Sequence, residues 1–305
     1  MKIVTITLNP AYDVHCYTEN FQPYRENLAK IISRDAGGKG INIGRALLSV
    51  GVRAKNLVVA GNKNASDFYG MLDDEGIEYI PLVMEGRIRE NITLHTNSAP
   101  ETRISFSGFT ANDGLIDSVE ELILPLLNSD TVVTFSGRVP EGVTHGKVMS
   151  FLGRIRDRGA RLVIDSHAVT REDIIDLHPW LIKPNGEEVL KYFSHSENIL
   201  DIIESAKELH ELGVENVMVS LGGDGAILVS DEGVFRAEAP KIDVISTVGA
   251  GDSSLAGFIA AALDGASSAE CLRTAVAFGS AACMRDGTAP PLKTDVDKLK
   301  QQIEI

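Results

Sequence analysis

The sequence has 305 residues, of which 44% are hydrophobic, 24% charged and 6% aromatic. These proportions are those of ordinary globular proteins and exclude fibrous, disordered and disulfide-scaffold classes, while the length predicts two domains or one large α/β domain. Asp and Glu outnumber Lys and Arg by 43 to 29, a formal net charge of −14. Because this field repels phosphate backbones, we expect no nucleic-acid partner, and an anionic substrate would need a local cluster of basic side chains.

The cysteines and the apolar segments indicate the compartment. Cys16, Cys271 and Cys283 show no metal-ligand spacing, and so few cysteines favour the reducing cytoplasm. The apolar N-terminal segment ends at Pro10, which makes it shorter than a signal-peptide core, and it has no small-residue cleavage site. The longest apolar stretch, residues 255–263, is about half of the ~20 residues that a membrane span requires. We therefore expect a cytoplasmic protein that is neither secreted nor inserted in a membrane.

Short runs rich in Val and Ile alternate with helical patterns along most of the chain. This alternation predicts stacked βαβ units, and hence an α/β fold with a doubly wound, mostly parallel sheet flanked by helices. Strands are predicted at residues 2–8, 56–60, 131–135, 161–165, 180–183 and 216–221. Helices are predicted at residues 41–49, 116–127, 144–157, 199–212, 252–263 and 269–284.

The first third of the chain interrupts this alternation. Residues 12–34 contain no good helix, and residues 91–96 and 102–107 alternate polar and apolar side chains around turn-forming residues 97–100. This pattern predicts a β-hairpin in a small second sheet, whose single apolar face its own residues cannot bury. We expect a single domain over residues 1–305 with a β-sheet lid, or dimer contact, built from about residues 12–35 and 87–110.

The most specific motif is Ser-Thr-Val-Gly-Ala-Gly-Asp at residues 246–252, which opens a predicted helix. Gly249 and Gly251 permit a tight turn at a helix start, where unpaired N–H groups and the helix dipole favour an anion such as a transferring phosphoryl group. Asp252 lies beside that site and is suited to accept a proton from an attacking hydroxyl. The alternative is an ordinary turn and a carboxylate that only complements the helix dipole.

A second glycine-rich motif, Asp-Ala-Gly-Gly-Lys-Gly-Ile-Asn at residues 35–42, also opens a helix. It does not match a Walker A loop, but its amides and Lys39 can hold a sugar hydroxyl or a phosphate. Asp13 follows the first strand at the carboxyl end of the sheet, where open α/β sheets bind ligands. A flexible turn and a turn-initiating Asp are the structural alternatives.

Two further motifs follow predicted strands. In Lys-Pro-Asn-Gly-Glu-Glu at residues 183–188, Asn185 and Glu188 are one helical turn apart, which suits an outer-shell Mg²⁺ site at nucleotide phosphates and equally suits a helix capping box. In Ser-Leu-Gly-Gly-Asp-Gly-Ala at residues 220–226, the glycines permit close approach of a nucleotide, and an ordinary hairpin explains them as well.

Arg87 and Arg89 begin the predicted hairpin, close to Asn91. One inward-facing guanidinium would give this acidic protein a fixed fork for phosphate. The alternative for either residue alone is a solvated charge at the sheet edge.

In chain order, Asn-Pro-Ala-Tyr-Asp at 9–13, Gly-Gly-Lys-Gly-Ile-Asn at 37–42, the 183–188 motif and Val-Gly-Ala-Gly-Asp at 248–252 resemble the PfkB, or ribokinase-like, family of sugar kinases. The resemblance covers essentially the whole chain. Thr-Leu-Asn-Pro-Ala-Tyr-Asp at the start and Gly-Arg-x-Arg-x-Asn at 86–91 are similar to its hexose-phosphate branch.

The resemblance implies a ribokinase-like fold, ATP as phosphoryl donor, Mg²⁺, and a ketohexose phosphate as acceptor. Fructose 1-phosphate, giving fructose 1,6-bisphosphate, is the favoured substrate, and tagatose 6-phosphate is its competitor. The family also implies a lid that pairs with a second subunit. It implies Asp252 as the general base, with an anion hole formed by Gly249, Ala250 and Gly251.

The resemblance also implies which residues bind the ligands. Sugar-phosphate ligands are expected at Asp13, Gly37, Gly38, Lys39, Asn42 and Arg89. Nucleotide contacts are expected at Lys183, Asn185, Ser220, Gly222, Gly225 and Thr247, and Mg²⁺ contacts at Asn185 and Glu188.

One departure from the family pattern concerns the substrate face. Relatives usually have Ser-Gly-Ser-Leu-Pro where this chain reads Ser-Gly-Arg-Val-Pro at 136–140, so Arg138 is either an added phosphate ligand or a solvent-facing substitution.

A catalytically silent sugar-phosphate sensor on the same fold stays open as an alternative function. A Rossmann dehydrogenase is disfavoured, because the Gly-x-Gly pair occurs late in the chain and not after the first strand.

Overall fold

The computed structural model describes residues 2–97, 101–193 and 198–305. Its strands are β1 Lys2–Thr7, β2 Ala11–Tyr17, β3 Lys30–Gly37, β4 Lys55–Gly61, β5 Tyr79–Met84, β6 Arg89–His95, β7 Thr102–Ser105, β8 Thr131–Ser136, β9 Arg161–Asp165, β10 Leu181–Ile182, β11 Asn216–Ser220, β12 Ala226–Ser230 and β13 Gly233–Ala237. Its helices are α1 Lys39–Ser49, α2 Ala65–Asp74, α3 Gly114–Ile123, α4 His145–Asp157, α5 Arg171–Leu177, α6 Gly186–Lys191, α7 Ile199–Glu211, α8 Ala250–Leu263, α9 Ser268–Cys283 and α10 Lys293–Lys300.

The main sheet has the strand order β13-β12-β11-β10-β9-β8-β1-β4-β5 within the described residues. Strands from β11 to β5 pair in parallel, and β12 and β13 add antiparallel strands at one edge. The chain leaves β1 first toward β4 and β5 and later returns to its other side at β8. This reversal opens a crevice beyond the carboxyl ends of β1 and β8, the place where open α/β sheets bind ligands.

Helices cover both faces of the main sheet, as the alternating pattern predicts. Successive side chains of a strand point to opposite faces, so Ile3 packs in the core cluster with α8 and α9, while Val4 packs in the cluster with α3 and α4. Each fully buried aliphatic or aromatic side chain in these clusters stabilises the fold by about 1.5–3 kcal/mol. The two apolar layers therefore stabilise the main sheet from both of its faces.

The second sheet has the order β3-β2-β6-β7 and lies beside the main one, as expected from residues 12–34 and from the hairpin. We call it the small sheet. Strands β6 and β7 pair antiparallel, although residues 98–100 of the predicted turn lie outside the described residues. Tyr12 of β2 packs edge-on against Phe68 of α2. In the strand register Ile31 pairs with Cys16 and Ile104 with Ile92, so both lie on the same face as Tyr12, and they are 69% and 48% exposed. Leu28, Ile32 and Phe106, in or next to the same strands, are 50% to 88% exposed.

Some predicted elements have different bounds in the structure, and others were missed. The helix predicted at 116–127 ends at Ile123 and continues as a single 3₁₀ turn, because Pro125 lacks the N–H that an α-helix needs. The strand predicted at 180–183 has two residues and stops before Pro184.

In the part of the chain that the structure describes, no helix has both the length and the apolar character to cross a membrane.

Candidate active site

The crevice brings together polar side chains from four elements. Asp165 is the last residue of β9 and Lys183 follows β10, so both lie at the carboxyl edge of the main sheet. Lys39 opens α1, and Asp252 lies in the first turn of α8. The N-termini of α1 and α8 and the side chains of Lys39 and Lys183 all lie in this crevice. Their positive charge makes it a region that attracts anions, although the protein as a whole is acidic.

Asp252 is buried at 7% exposure, and its Oδ2 accepts a hydrogen bond of 2.8 Å from Asn42 Nδ2. Burial raises the pKa of Asp252 to about 6, and the negative charge of Asp165 adds to the rise, while Lys39, Asn42 and Lys183 act in the opposite direction. A carboxyl with this pKa is ionised at neutral pH and is a stronger proton acceptor than an ordinary Asp. These properties suit a general base.

Asp165 joins the two lysines, and sequence reasoning missed this role. Its Oδ1 accepts from Lys39 Nζ at 2.9 Å, and its Oδ2 is 3.5 Å from Lys183 Nζ. Burial alone would raise the pKa of Asp165, but Lys183 and Lys39 outweigh it and lower the pKa below its usual value. The carboxylate therefore holds both ammonium groups beside the first turn of α8.

The first turn of α8 provides donors for an anion. Gly249 caps the helix with a φ of 73°, in the left-handed region that favours glycine. The N–H groups of Gly251 and Asp252 belong to the first turn, where α-helical acceptors are lacking, and the Ala250 N–H makes a long contact of 3.4 Å with the Thr247 carbonyl oxygen. A Cβ on Gly251 would lie 3.3 Å from Lys183 Nζ, so this lysine lies directly beside the turn. Thr247, just before the turn, accepts at 3.1 Å from Arg103 of β7.

The structure places Asp13 against the glycine-rich segment that leads into α1. Asp13 Oδ1 accepts from Asn91 Nδ2 at 2.9 Å, and burial raises the pKa of Asp13 while this hydrogen bond lowers it. A Cβ on Gly37 would be 1.9 Å from Asp13 Oδ2, so only glycine leaves room for the carboxylate. Gly38 caps α1 with a φ of 139°. The Asp13 carboxylate thus lies between Asn91 and Gly37, and its hydroxyl-binding role stays a prediction.

Arg89 faces inward, toward the crevice. Its guanidinium donates to the Phe106 carbonyl at 2.9 Å and lies 3.4 Å from the Asn9 carbonyl, yet its buried Nε has no hydrogen-bond partner among the described residues. Burial lowers the pKa of Arg89, and the positive charge of Arg138 lowers it further. The positive charges of Arg89 and Arg138 repel each other, so an anion bound between the two guanidinium groups would be stabilised by both. Arg138 itself is exposed.

Three of the six predicted nucleotide residues border an open cleft of about 590 Å³ beside α6 and β11. Its lining includes Asn185, Ser220 and Gly222. Gly225 has a structural reason to be glycine, because its φ is 95° and a Cβ would lie 1.9 Å from the Ala237 carbonyl oxygen. Lys183 and Thr247 lie nearer to the α8 turn than to this cleft.

Asn185 and Glu188 form the capping box that the sequence left open as one of two interpretations. Asn185 Oδ1 accepts from the Glu188 amide at 2.8 Å, and Glu188 Oε2 accepts from the Asn185 amide at 2.9 Å. The second oxygen, Oε1, lies 3.5 Å from His167 Nε2, and both residues line a small cavity together with Asp165 and Lys183. No group of three or more metal-binding side chains occurs in the described residues. Because Asn185 Oδ1 and Glu188 Oε2 accept hydrogen bonds within the box, Glu188 Oε1 is the oxygen of this pair that suits a water ligand of Mg²⁺.

Comparison with known proteins agrees with this arrangement. Residues 2–295 match the family described as pfkB family carbohydrate kinase. The chain belongs to this family. The match confirms the resemblance seen in the four motifs, and this PfkB protein is a sugar-phosphate kinase.

Individual relatives point to ketohexose phosphates. The PfkB chain is 31% identical to 1-phosphofructokinase of Haemophilus influenzae, covering 100% of this chain and 98% of the relative. It is 33% identical to 1-phosphofructokinase of Escherichia coli K12, covering 92% and 90%. Its structure is similar to phosphofructokinase-2 from Escherichia coli in complex with fructose-6-phosphate, with a TM-score of 0.91, 26% identity and coverage of 99% and 98%.

Proposed function

We propose that the protein transfers the γ-phosphoryl group of ATP to fructose 1-phosphate and forms fructose 1,6-bisphosphate. The observation that carries the proposal is the buried Asp252 with a pKa of about 6, set between Asn42 and the lysine pair at the N-terminus of α8. Similarity to two 1-phosphofructokinases over nearly the whole chain supports the choice of sugar.

In the proposed reaction, Asp252 accepts the proton of the sugar C6 hydroxyl. The C6 oxygen forms a bond to the γ-phosphorus as the bond to the bridging oxygen of ADP breaks, so the leaving group carries the electron pair away. The N–H groups of Ala250 and Gly251, with Lys39 and Lys183, stabilise the charge on the transferring group. Asp13 binds sugar hydroxyls, and Arg89 with Arg138 binds the phosphate already on the sugar.

Mg²⁺ bound to ATP supplies positive charge at the nucleotide phosphates. Glu188 Oε1, the oxygen that the capping box does not use, is suited to bind its water ligands. The nucleotide itself borders Ser220 and Gly222 in the cleft beside α6.

The test is ADP release from Mg-ATP with purified protein and fructose 1-phosphate, fructose 6-phosphate or tagatose 6-phosphate in parallel. We expect the highest kcat/KM with fructose 1-phosphate. A higher kcat/KM with either 6-phosphate would identify that sugar as the substrate and leave the proposed phosphoryl transfer from ATP unchanged. Binding of ATP without turnover of any of the three sugars would refute the kinase proposal and favour a sensor.

The phosphate-binding role of Arg89 predicts a specific kinetic defect. Arg89→Ala removes a charge-assisted fork and should raise KM for the sugar phosphate by about 10- to 100-fold, with a much smaller change in KM for ATP. Steady-state kinetics with each substrate varied separately measure both constants. Arg87→Ala, at an exposed position two residues earlier, is the matched control and should leave both near wild type. An unchanged sugar KM in Arg89→Ala would remove this residue from the phosphate site.

We also propose that the small sheet is a lid over the sugar and that two chains pair through its exposed apolar face. Ile31 and Ile104 share this face and are 69% and 48% exposed, and large apolar side chains grouped on an exposed face commonly mark a protein contact. Light scattering should give a mass of two 32.8 kDa chains. Ile31→Glu should shift the protein toward one chain, whereas Val234→Glu, at another exposed apolar position on β13, should not. A wild-type monomer at micromolar concentration would contradict the pairing.

We further propose that the enzyme works in the cytoplasm. All three cysteines are free thiols, which supports a reducing compartment.

A further inference from the structure

Arg45 is a buried arginine on α1 that none of the roles above includes. It is 5% exposed, and every part of its guanidinium is engaged. Nε and Nη2 donate to the two carboxylate oxygens of Glu75 at 2.5 and 3.0 Å, Nη2 also donates to the Ala36 carbonyl at 2.6 Å, and Nη1 donates to Asn42 Oδ1 at 2.9 Å. Arg45 therefore ends a chain of contacts that runs through Asn42 to Asp252.

These hydrogen bonds determine the orientation of the Asn42 amide. A guanidinium has donors only, so the Asn42 atom that faces Arg45 must be the oxygen. The amide nitrogen then faces Asp252 and donates to its carboxylate. The two ends of an Asn amide have nearly the same shape, and packing alone does not distinguish them. With the amide reversed, its oxygen would face the Asp252 carboxylate and its NH₂ group would face the Arg45 donors.

We propose that Arg45 is a positioning residue for phosphoryl transfer, because it holds the Asn42 amide in the one orientation that donates to Asp252. The inference rests on the proposed function, in which Asp252 is the base. Arg45 itself touches no reacting group. Its guanidinium lies toward a separate cleft of about 520 Å³, on the side of α1 where Glu75 and Asp286 are found.

The oriented amide acts on the proton affinity of the base. Besides Asn42, the charged groups that act on Asp252 are Asp165, which raises its pKa, and Lys39 and Lys183, which lower it. Loss of the Asn42 donor, or its replacement by the amide oxygen, favours the protonated carboxyl. An enzyme without Arg45 should therefore need a higher pH to ionise its base.

The first test compares Arg45→Met with Arg45→Lys. Arg45→Met should lower kcat by about 10- to 100-fold, as expected for a displaced reacting group, and should move the acidic limb of the kcat profile to higher pH. KM for ATP should change by less than about twofold. Arg45→Lys keeps one donor for Asn42 and should recover part of the loss and return the limb toward wild type.

Arg154→Met is the matched control, because Arg154 also pairs with a glutamate, Glu120, but lies on α4 and contacts none of the site residues. Its kcat and its acidic limb should equal those of wild type. Equal shifts in the Arg154 and Arg45 variants would show a general effect of losing an Arg–Glu pair and would overturn the proposal.

The second test repeats the substitution in an Asn42→Ala background. If Arg45 acts only through the amide, Arg45→Met should cause no further loss of kcat there. The same loss in both backgrounds, or an unchanged kcat in a folded Arg45→Met enzyme, would overturn the proposal. Should Arg45→Met fail to fold, Arg45→Lys, which keeps a positive charge beside Glu75, takes its place with the same criterion. Wild-type turnover separates this outcome from failure of the proposed function, which would show as no turnover in the parent enzyme.

Discussion

Asp252→Asn should lower kcat by about 10² to 10⁴, which is what a general base contributes. The amide keeps the shape of the carboxyl and accepts no proton, so ATP binding should stay close to wild type. The readouts are kcat with the best sugar phosphate and the dissociation constant of ATP from calorimetry. Turnover within about twofold of wild type would exclude Asp252 as the base.

The pH dependence gives this prediction a second, independent measurement. The pKa of Asp252 is raised to about 6, so the carboxyl is ionised above that pH and protonated below it. In wild type, kcat should therefore fall as the pH decreases through about 6, and the residual activity of Asp252→Asn should lack this limb. Because ionised Asp252 is held in a buried site that raises its pKa, its charge disfavours the folded state at neutral pH. Asp252→Asn should consequently unfold at a temperature no lower than wild type.

Asp165→Asn should reduce both stability and turnover. It leaves Lys39 and Lys183 facing each other without their shared counter-charge, and breaking a buried ion pair in this way costs about 3–5 kcal/mol. Thermal unfolding should occur about 5–10 °C lower, and kcat should fall by about 10- to 100-fold because Lys39 loses its anchor. Scanning calorimetry and steady-state kinetics measure the two effects.

The acidic limb of the kcat profile should move to lower pH in Asp165→Asn. The negative charge of Asp165 raises the pKa of Asp252, so its removal lowers that pKa and shifts the limb to lower pH. Asp117→Asn is the matched control, since it removes an exposed Asp that pairs with Lys147 and should change stability by less than about 1 kcal/mol. A limb that stays in place in Asp165→Asn would show that the two carboxylates do not interact.

The fold was largely predictable because it depends on local patterns. Alternation of strand and helix patterns predicts the main sheet, and the period-two pattern of residues 91–107 predicts the hairpin of β6 and β7. Strand β5 was missed because it contains Pro81, which argues against a central strand and is tolerated here at the sheet edge. Helix α2 was missed because it is short and contains Gly70.

The site was predictable only where its residues belong to one motif. Asp252 and Lys39 lie in glycine-rich turns that indicate anion binding. Asp165 was visible only as the end of a strand, since its function depends on Lys39, 126 positions earlier. The choice between a capping box and a metal site at Asn185 needed the hydrogen-bond geometry, because both uses require the same spacing.

Helix α1 fixes the distances within the site. Lys39, Asn42 and Arg45 are three residues apart, so each step rises about 4.5 Å along the axis and drifts about 60° around it. The three side chains thus reach Asp165, Asp252 and Glu75 in turn, and the helix sets the spacing between these contacts. One residue inserted between Lys39 and Asn42 would turn the amide about 100° from Asp252. This segment therefore tolerates changes of side chain far better than changes of length.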